Sequence, residues 1–218
     1  MWTLAFDTTT NFCSIALFED KIKRDLYSAE MTFGQSEALI LQIQNMLHKH
    51  GLSVQDLGLM AVCTGPGSFT GVRSSIAATR AFGLTNKKMA LCGISAFEAY
   101  LQATDLSQVK DCVAVIIETK REDFYVAYYG ADGHKLEAPK TALFEDIVHD
   151  LQNKHVTIVG DGVQRFLSRQ TGLHIKNASF DMHPPVDSLA LAAIARFENR
   201  TIDFPKPLYL KAADICAK

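Results

Sequence analysis

The chain has 218 residues, 48% of them hydrophobic and 21% charged, with a formal net charge of −2. That is room for one large domain or two small lobes with ample core. It lacks the basic excess that lets a protein grip nucleic acid by neutralising phosphates, so any nucleic-acid contact falls mainly to a partner. The five cysteines, Cys13, Cys63, Cys92, Cys112 and Cys216, are odd in number and form no CxxC pair. Most sit in apolar runs as small core hydrophobes, which argues against a disulfide framework or zinc knuckle. The opening "MWTLAFDTTT" has no basic n-region, and no uncharged run approaches eighteen residues, so the expectation is a soluble, cytoplasmic protein.

In chain order, "WTLAFD" (2–7), "CSIALF" (13–18) and "IKRDLYS" (22–28) read as a three-stranded meander. "QSEALILQIQNMLHKHG" follows. Leu39, Ile40, Ile43, Met46 and Leu47 make one apolar helical stripe, with Ser36 as N-cap and Gly51 as the stop. "LGLMAVCT" (57–64) is a buried strand. A glycine-rich loop and a helix over about 71–84 come next, then a strand in "KMALCG" and a helix in "SAFEAYLQAT".

The second half repeats the order. "DCVAVIIE" (111–118), "DFYVAYYG" (123–130) and "HKLEAP" (134–139) form another meander. "ALFEDIVHDLQNK" is an amphipathic helix, "HVTIVG" a strand, and "DGVQRFLSRQTG" and "DSLALAAIARFENR" helices. The repeat implies a duplicated α/β architecture, with lobes at 1–106 and 107–218 and an incomplete finish to the second.

Two stretches hold the candidate chemistry. In Asp7-Thr8-Thr9-Thr10 a strand ends in a carboxylate followed by hydroxyls. Such a turn either offers donors to a phosphate or closes a hairpin by itself, and Thr8 stands where phosphate turns usually carry glycine. "TGPGSFTGVR" (64–73) links a strand to a helix whose first N–H groups could meet an anion. It is not a Walker A loop, because Val72 and Arg73 follow Gly71 where lysine and a hydroxyl residue belong. Asp7, Thr9, Gly67, Ser68, Thr70 and Arg73 are therefore the candidate nucleotide or anion contacts. Phe69 at the loop tip suggests an anchor for a partner. Gly71, Ser74, Ser75 and Ala78 form a small-residue stripe that admits another backbone, from this chain or a partner. His48 and His50 lack a completing carboxylate motif, so no metal site is expected. "ETKREDFY" (118–125) lies where a phosphate-clamping duplicate would carry a second aspartate-glycine loop, and it has no glycine.

With "LAFDTTTNFCSIALF", "GPGSFTGVR", "ISAFEAY", "REDFYVAYY" and "PLYLK" (207–211), the chain resembles the bacterial TsaB (YeaZ) family over nearly its whole length. The resemblance implies an actin-like (sugar kinase/Hsp70-type) fold of two lobes. It implies a non-catalytic subunit that supports a TsaD-type paralogue, with a TsaE-type ATPase, in making N6-threonylcarbamoyladenosine at position 37 of tRNAs reading ANN codons. No cofactor of its own is implied; ATP or ADP and metal belong to the partners, and tRNA is met mainly through them. The two first-lobe helices, about 34–50 and 71–84, would pair with the paralogue or with a second copy. The implied interface is Ser36, Leu39, Ile40, Ile43, Phe69, Gly71, Ser74, Ser75 and Ala78. Gln35 stands where the family often has histidine, and Lys211 where it often has arginine. The alternatives are a stand-alone ATP-binding phosphotransferase or hydrolase of the same fold, and a metallopeptidase.

Overall fold

The structure is a computed structural model that describes residues 1–31, 33–179 and 181–210. The first sheet begins with β1 (Trp2–Asp7), β2 (Phe12–Glu19) and β3 (Ile22–Glu30), joined antiparallel. The chain then forms α1 (Gln35–Lys49), β4 (Leu57–Cys63), α2 (Phe69–Thr85), β5 (Ala90–Ile94) and α3 (Ala96–Ala103). β4 lies parallel to β1, and β5 parallel to β4, giving the order β3-β2-β1-β4-β5. β1 and β4 are buried almost throughout, as central strands covered on both faces must be. Leu39, Ile43, Met46 and Leu47 of α1 and Val72 and Ile76 of α2 close one core with Leu4, Phe6, Ile15, Met60 and Val62.

The second sheet contains β6 (Cys112–Glu118), β7 (Phe124–Gly130), β8 (Lys140–Ala142), α4 (Phe144–Leu151), β9 (His155–Val159), α5 (Val163–Leu167) and β10 (His174–Ala178). Its order, β10-β9-β6-β7-β8, has the same connectivity and the same parallel and antiparallel pairs as the first. Its core gathers Ile116, Phe124, Phe144, Ile147, Ile158 and Phe166. The fold is thus a duplicated α/β architecture of the actin-like kind.

The last helix, α6 (Val186–Glu198), packs on β1, β2, β4 and β5. Its buried Leu189, Ala190, Ala193 and Ile194 lie outside the cluster that α1 and α2 close, so it covers the other face of the first sheet. Chain contacts divide the described residues into one unit of 1–102 with 183–208 and a second of 103–182 with 209–210. The sequence reading carries residues 183–208 with the second lobe; their apolar face instead completes the first.

Three local differences have physical reasons. Gly34, at φ 85°, occupies the N-cap of α1, so Ser36 lies inside the helix. The meander's third strand in the second unit forms at 140–142, and 134–136 make only a single bridge back, Lys135 opposite Tyr129, with backbone hydrogen bonds at His134 and Leu136 on either side. "DGVQRFLSRQTG" is helical only over 163–167, and the fifth strand follows it as β10, which completes the second sheet. Gly51 does end α1: its N–H meets the His48 carbonyl at 3.0 Å and that of Leu52 meets Leu47 at 2.9 Å, the double closure that a left-handed glycine allows.

Candidate functional site

The turn after β1 and the loop before α2 are fastened together. Thr8 Oγ1 donates to the Gly71 carbonyl at 3.0 Å and lies 2.6 Å from Ser75 Oγ. The Ser68 N–H donates to the Thr9 carbonyl at 2.6 Å. A Cβ added at Gly71 would overlap the Thr8 carbonyl oxygen, and one at Gly67 the Thr9 carbonyl oxygen. Backbone lies directly on backbone, which is why glycine is needed at these two places. Ser68 caps α2 by accepting from the Gly71 N–H at 3.2 Å. Loop and turn therefore satisfy much of each other's hydrogen bonding.

Asp7 is fully buried at the base of this suture. Its Oδ1 accepts from the Thr9 N–H at 2.9 Å, while Oδ2 has no hydrogen-bond partner among the described residues. Burial pushes its carboxyl above the ordinary value of 3.8, and the Thr9 hydrogen bonds only partly oppose that. Thr9 is buried with its hydroxyl 3.8 Å from Cys63 Sγ. Arg73 lies over the Phe69 ring, 3.6 Å from its centroid. Of the six candidate anion contacts, Ser68, Thr70 and Arg73 are exposed and Gly67 half-buried, whereas Asp7 and Thr9 are shut inside.

The candidate interface residues split the same way. Leu39 and Ile43 are spent in the core of the first unit, and Gly71 and Ser75 are spent against Thr8. Those four are corrected to internal packing, because no partner can reach them. Ser36 and Ile40 are exposed; Phe69, Ser74 and Ala78 are half-buried, and Ala78 also packs on the core cluster. The sequence reading passes over three large apolar side chains left outside: Phe33 at 85%, Leu41 at 55% and Leu84 at 78% exposure. Their signal was available, since Leu41 falls off the buried stripe of α1 and Leu84 sits in the last turn of α2. Leu41 with Ile40 on α1, and Leu84 with Ala77 and Ala81 on α2, leave apolar and small residues exposed on both helices, while Phe33 precedes α1.

In the second unit, the turn at 118–123 is occupied by the protein's own charges. Glu118 forms a two-pronged pair with Arg165, at 2.7 and 2.8 Å. The same guanidinium donates to the Asp123 carbonyl at 2.8 Å and stacks on Phe124 at 3.7 Å. Asp161 Oδ1 accepts the Glu118 N–H at 2.9 Å. Glu118 and Arg165 are 47 residues apart, and nothing in the sequence joins them. Among the described residues, no group of three or more His, Cys, Asp or Glu side chains comes together as a metal cage. His50 lies 3.0 Å from Asp25, beside Lys49, and His48 is exposed.

The family model described as TsaD, tRNA N6-adenosine threonylcarbamoyltransferase, matches residues 34–155, more than half of the chain. The tRNA threonylcarbamoyladenosine biosynthesis protein TsaB of Escherichia coli is 28% identical over 225 aligned residues, covering 97% of this chain and 95% of that one. A Pseudomonas aeruginosa structure described as similar to peptidase YeaZ superposes with a TM-score of 0.80 at 19% identity, covering 96% of this chain and 99% of that one. Component A of the Acidaminococcus fermentans (R)-2-hydroxyglutaryl-CoA dehydratase superposes at 0.53 with 11% identity, over 90% of this chain and 98% of that one, a likeness of fold alone. Matched by the TsaD model over more than half of its length, in both units, and by TsaB over nearly its whole length, the chain belongs to the TsaD family and, within it, to the TsaB (YeaZ) group.

Proposed function

We propose that the chain is a non-catalytic scaffold or activator subunit in threonylcarbamoylation of adenosine 37 of ANN-decoding tRNAs. In this reading it docks a TsaD-type catalytic paralogue on the outer face of α1 and α2, alongside a TsaE-type ATPase, and can pair with a second copy through the same face. ATP or ADP and metal belong to the partners, and tRNA is met mainly through them.

The observation that carries the reading is that apolar outer face. Leu41 and Leu84 stay in water although the same two helices have already filled the core beneath them. Large exposed apolar side chains on two helices that pack together are a mark of a protein-binding surface. The likeness to proteins named for threonylcarbamoyladenosine biosynthesis supplies the pathway. A role other than catalysis fits a first turn whose carboxylate is enclosed and a second turn filled by an ion pair.

The test is co-purification with a TsaD-type partner, followed by tRNA modification with and without this chain. Modification that depends on the chain, and is lost in Leu41→Glu and Leu84→Glu, is the expected result. Modification at the same rate without the chain would sink the proposal. Calorimetric titration with ATP and magnesium separates the main alternative, because tight binding by the chain alone would favour a self-sufficient phosphotransferase.

A further inference from the structure

The string "PLYL" near the chain's end has no part in the docking reading above, yet the segment that leads into it is heavily anchored. From Asp203 to Leu208 the backbone crosses the ends of β4 and β5. The Gly93 N–H donates to the Asp203 carbonyl at 2.9 Å, and the Leu208 N–H donates to the Thr64 carbonyl at 2.8 Å. Arg80, on α2, donates to the Pro205 carbonyl at 2.8 Å and lies over the Phe204 ring at 5.3 Å. Arg196 of α6 holds Asp203 at 3.1 Å, the Gly93 carbonyl at 3.1 Å and Glu98. A Cβ at Gly93 would press on Pro205 and Thr64, and one at Gly65 would touch the Leu208 carbonyl. Thr64 and Gly65 are the first residues of the glycine loop, and Arg80 is on the exposed side of α2.

We infer that residues 203–208 are a strap that positions the 64–70 loop and α2 for partner docking, with Arg80 as the positioning residue between the strap and the docking helix. This rests on the docking reading above. The strap grips the loop at its root through Leu208 and grips the helix at its middle through Arg80. A change at either end therefore reaches the other through two hydrogen bonds and a ring contact. Coupling of this kind is reciprocal: a partner seated on α2 holds the strap down, and an intact strap tightens the partner's grip.

Hydrogen exchange on the full-length chain, alone and with a TsaD-type partner, tests this. Arg80→Ala removes the Pro205 contact. Leu208→Pro removes the N–H that Thr64 accepts while keeping an extended backbone. Each is expected to speed exchange over residues 64–72 by about tenfold, with β1 and β6 unchanged, because local openings are read residue by residue. Partner affinity should fall by a comparable factor. Arg80→Lys, which keeps one donor for the Pro205 carbonyl, should restore most of the protection. The partner should in turn slow exchange across 203–210.

Unchanged exchange over 64–72 in both variants overturns the inference, and so does raised exchange with undiminished partner affinity. If Arg80→Ala loosens the whole chain, seen as faster exchange in β1, Leu208→Pro decides. Leu84→Glu keeps the two readings apart. It should lose the partner without changing exchange, and if the partner still binds, the docking reading fails while the exchange result on the strap stands.

Discussion

At Gly71 a single methyl group would overlap the carbonyl oxygen of Thr8, with neither backbone free to give. Gly71→Ala is expected to cost about 2–4 kcal/mol in urea unfolding, in the range of forced overpacking and broken buried contacts. Gly51 supplies the contrast. It has open space around its Cβ position and a φ of 65°, so Gly51→Ala pays only for the left-handed backbone, about 1 kcal/mol. Asp7 adds a dependence on pH. Its folded pKa is raised above 3.8 by burial, so the folded state holds the proton more tightly than the unfolded chain. Its contribution is complete below 3.8 and is lost as pH rises through the folded pKa, so stability falls with rising pH over that span. Denaturation series over the acid-to-neutral range should show this decline flattened in Asp7→Asn; an unaltered slope would count against the burial argument.

At the scale of elements, α2 has few large apolar residues and is held by polar contacts to backbone. Thr8 grips its first turn and Arg80 its middle, and the residue that ends it, Asn86, donates to the carbonyls of Val54 and Leu57 at 2.9 and 3.0 Å. Asn86→Ala removes both of these hydrogen bonds and should cost about 2 kcal/mol by thermal or chemical unfolding. The outer face behaves oppositely: Leu84→Glu and Leu41→Glu should leave the unfolding midpoint nearly unchanged, because both side chains already face water. The small-residue stripe of α2 was legible in the sequence, but its use was not. Gly71 and Ser75 answer to Thr8, more than sixty residues earlier, and periodicity alone cannot say which neighbour a small residue admits. β10 escaped for a different reason. It is a largely exposed edge strand, His-Ile-Lys-Asn-Ala, with little of the alternation that marks a half-buried strand.

At the scale of the molecule, the duplication was readable because each half opens with apolar runs of strand length spaced by short turns. The home of α6 was not, since its apolar stripe would fit either sheet. The two units own separate cores. Phe166, fully buried with Phe124 at 5.9 Å and Phe144 at 5.0 Å, anchors the second. Phe166→Ala should remove about 3–5 kcal/mol from that unit. Residue-resolved exchange should find the loss in residues 103–182 and spare the first sheet; a uniform loss would argue that the units unfold only together.

The two hairpin turns that begin the sheets are closed by different forces. One is backbone pressed on backbone at Thr8 and Gly71, and the other is the half-exposed pair of Glu118 and Arg165. Dissolved ions screen charges but leave steric contact and neutral hydrogen bonds almost untouched. The two halves of one repeated design should therefore answer differently to ionic strength. Concentrated salt should loosen the turn at 118–123 and leave the turn at 7–12 as tight as before.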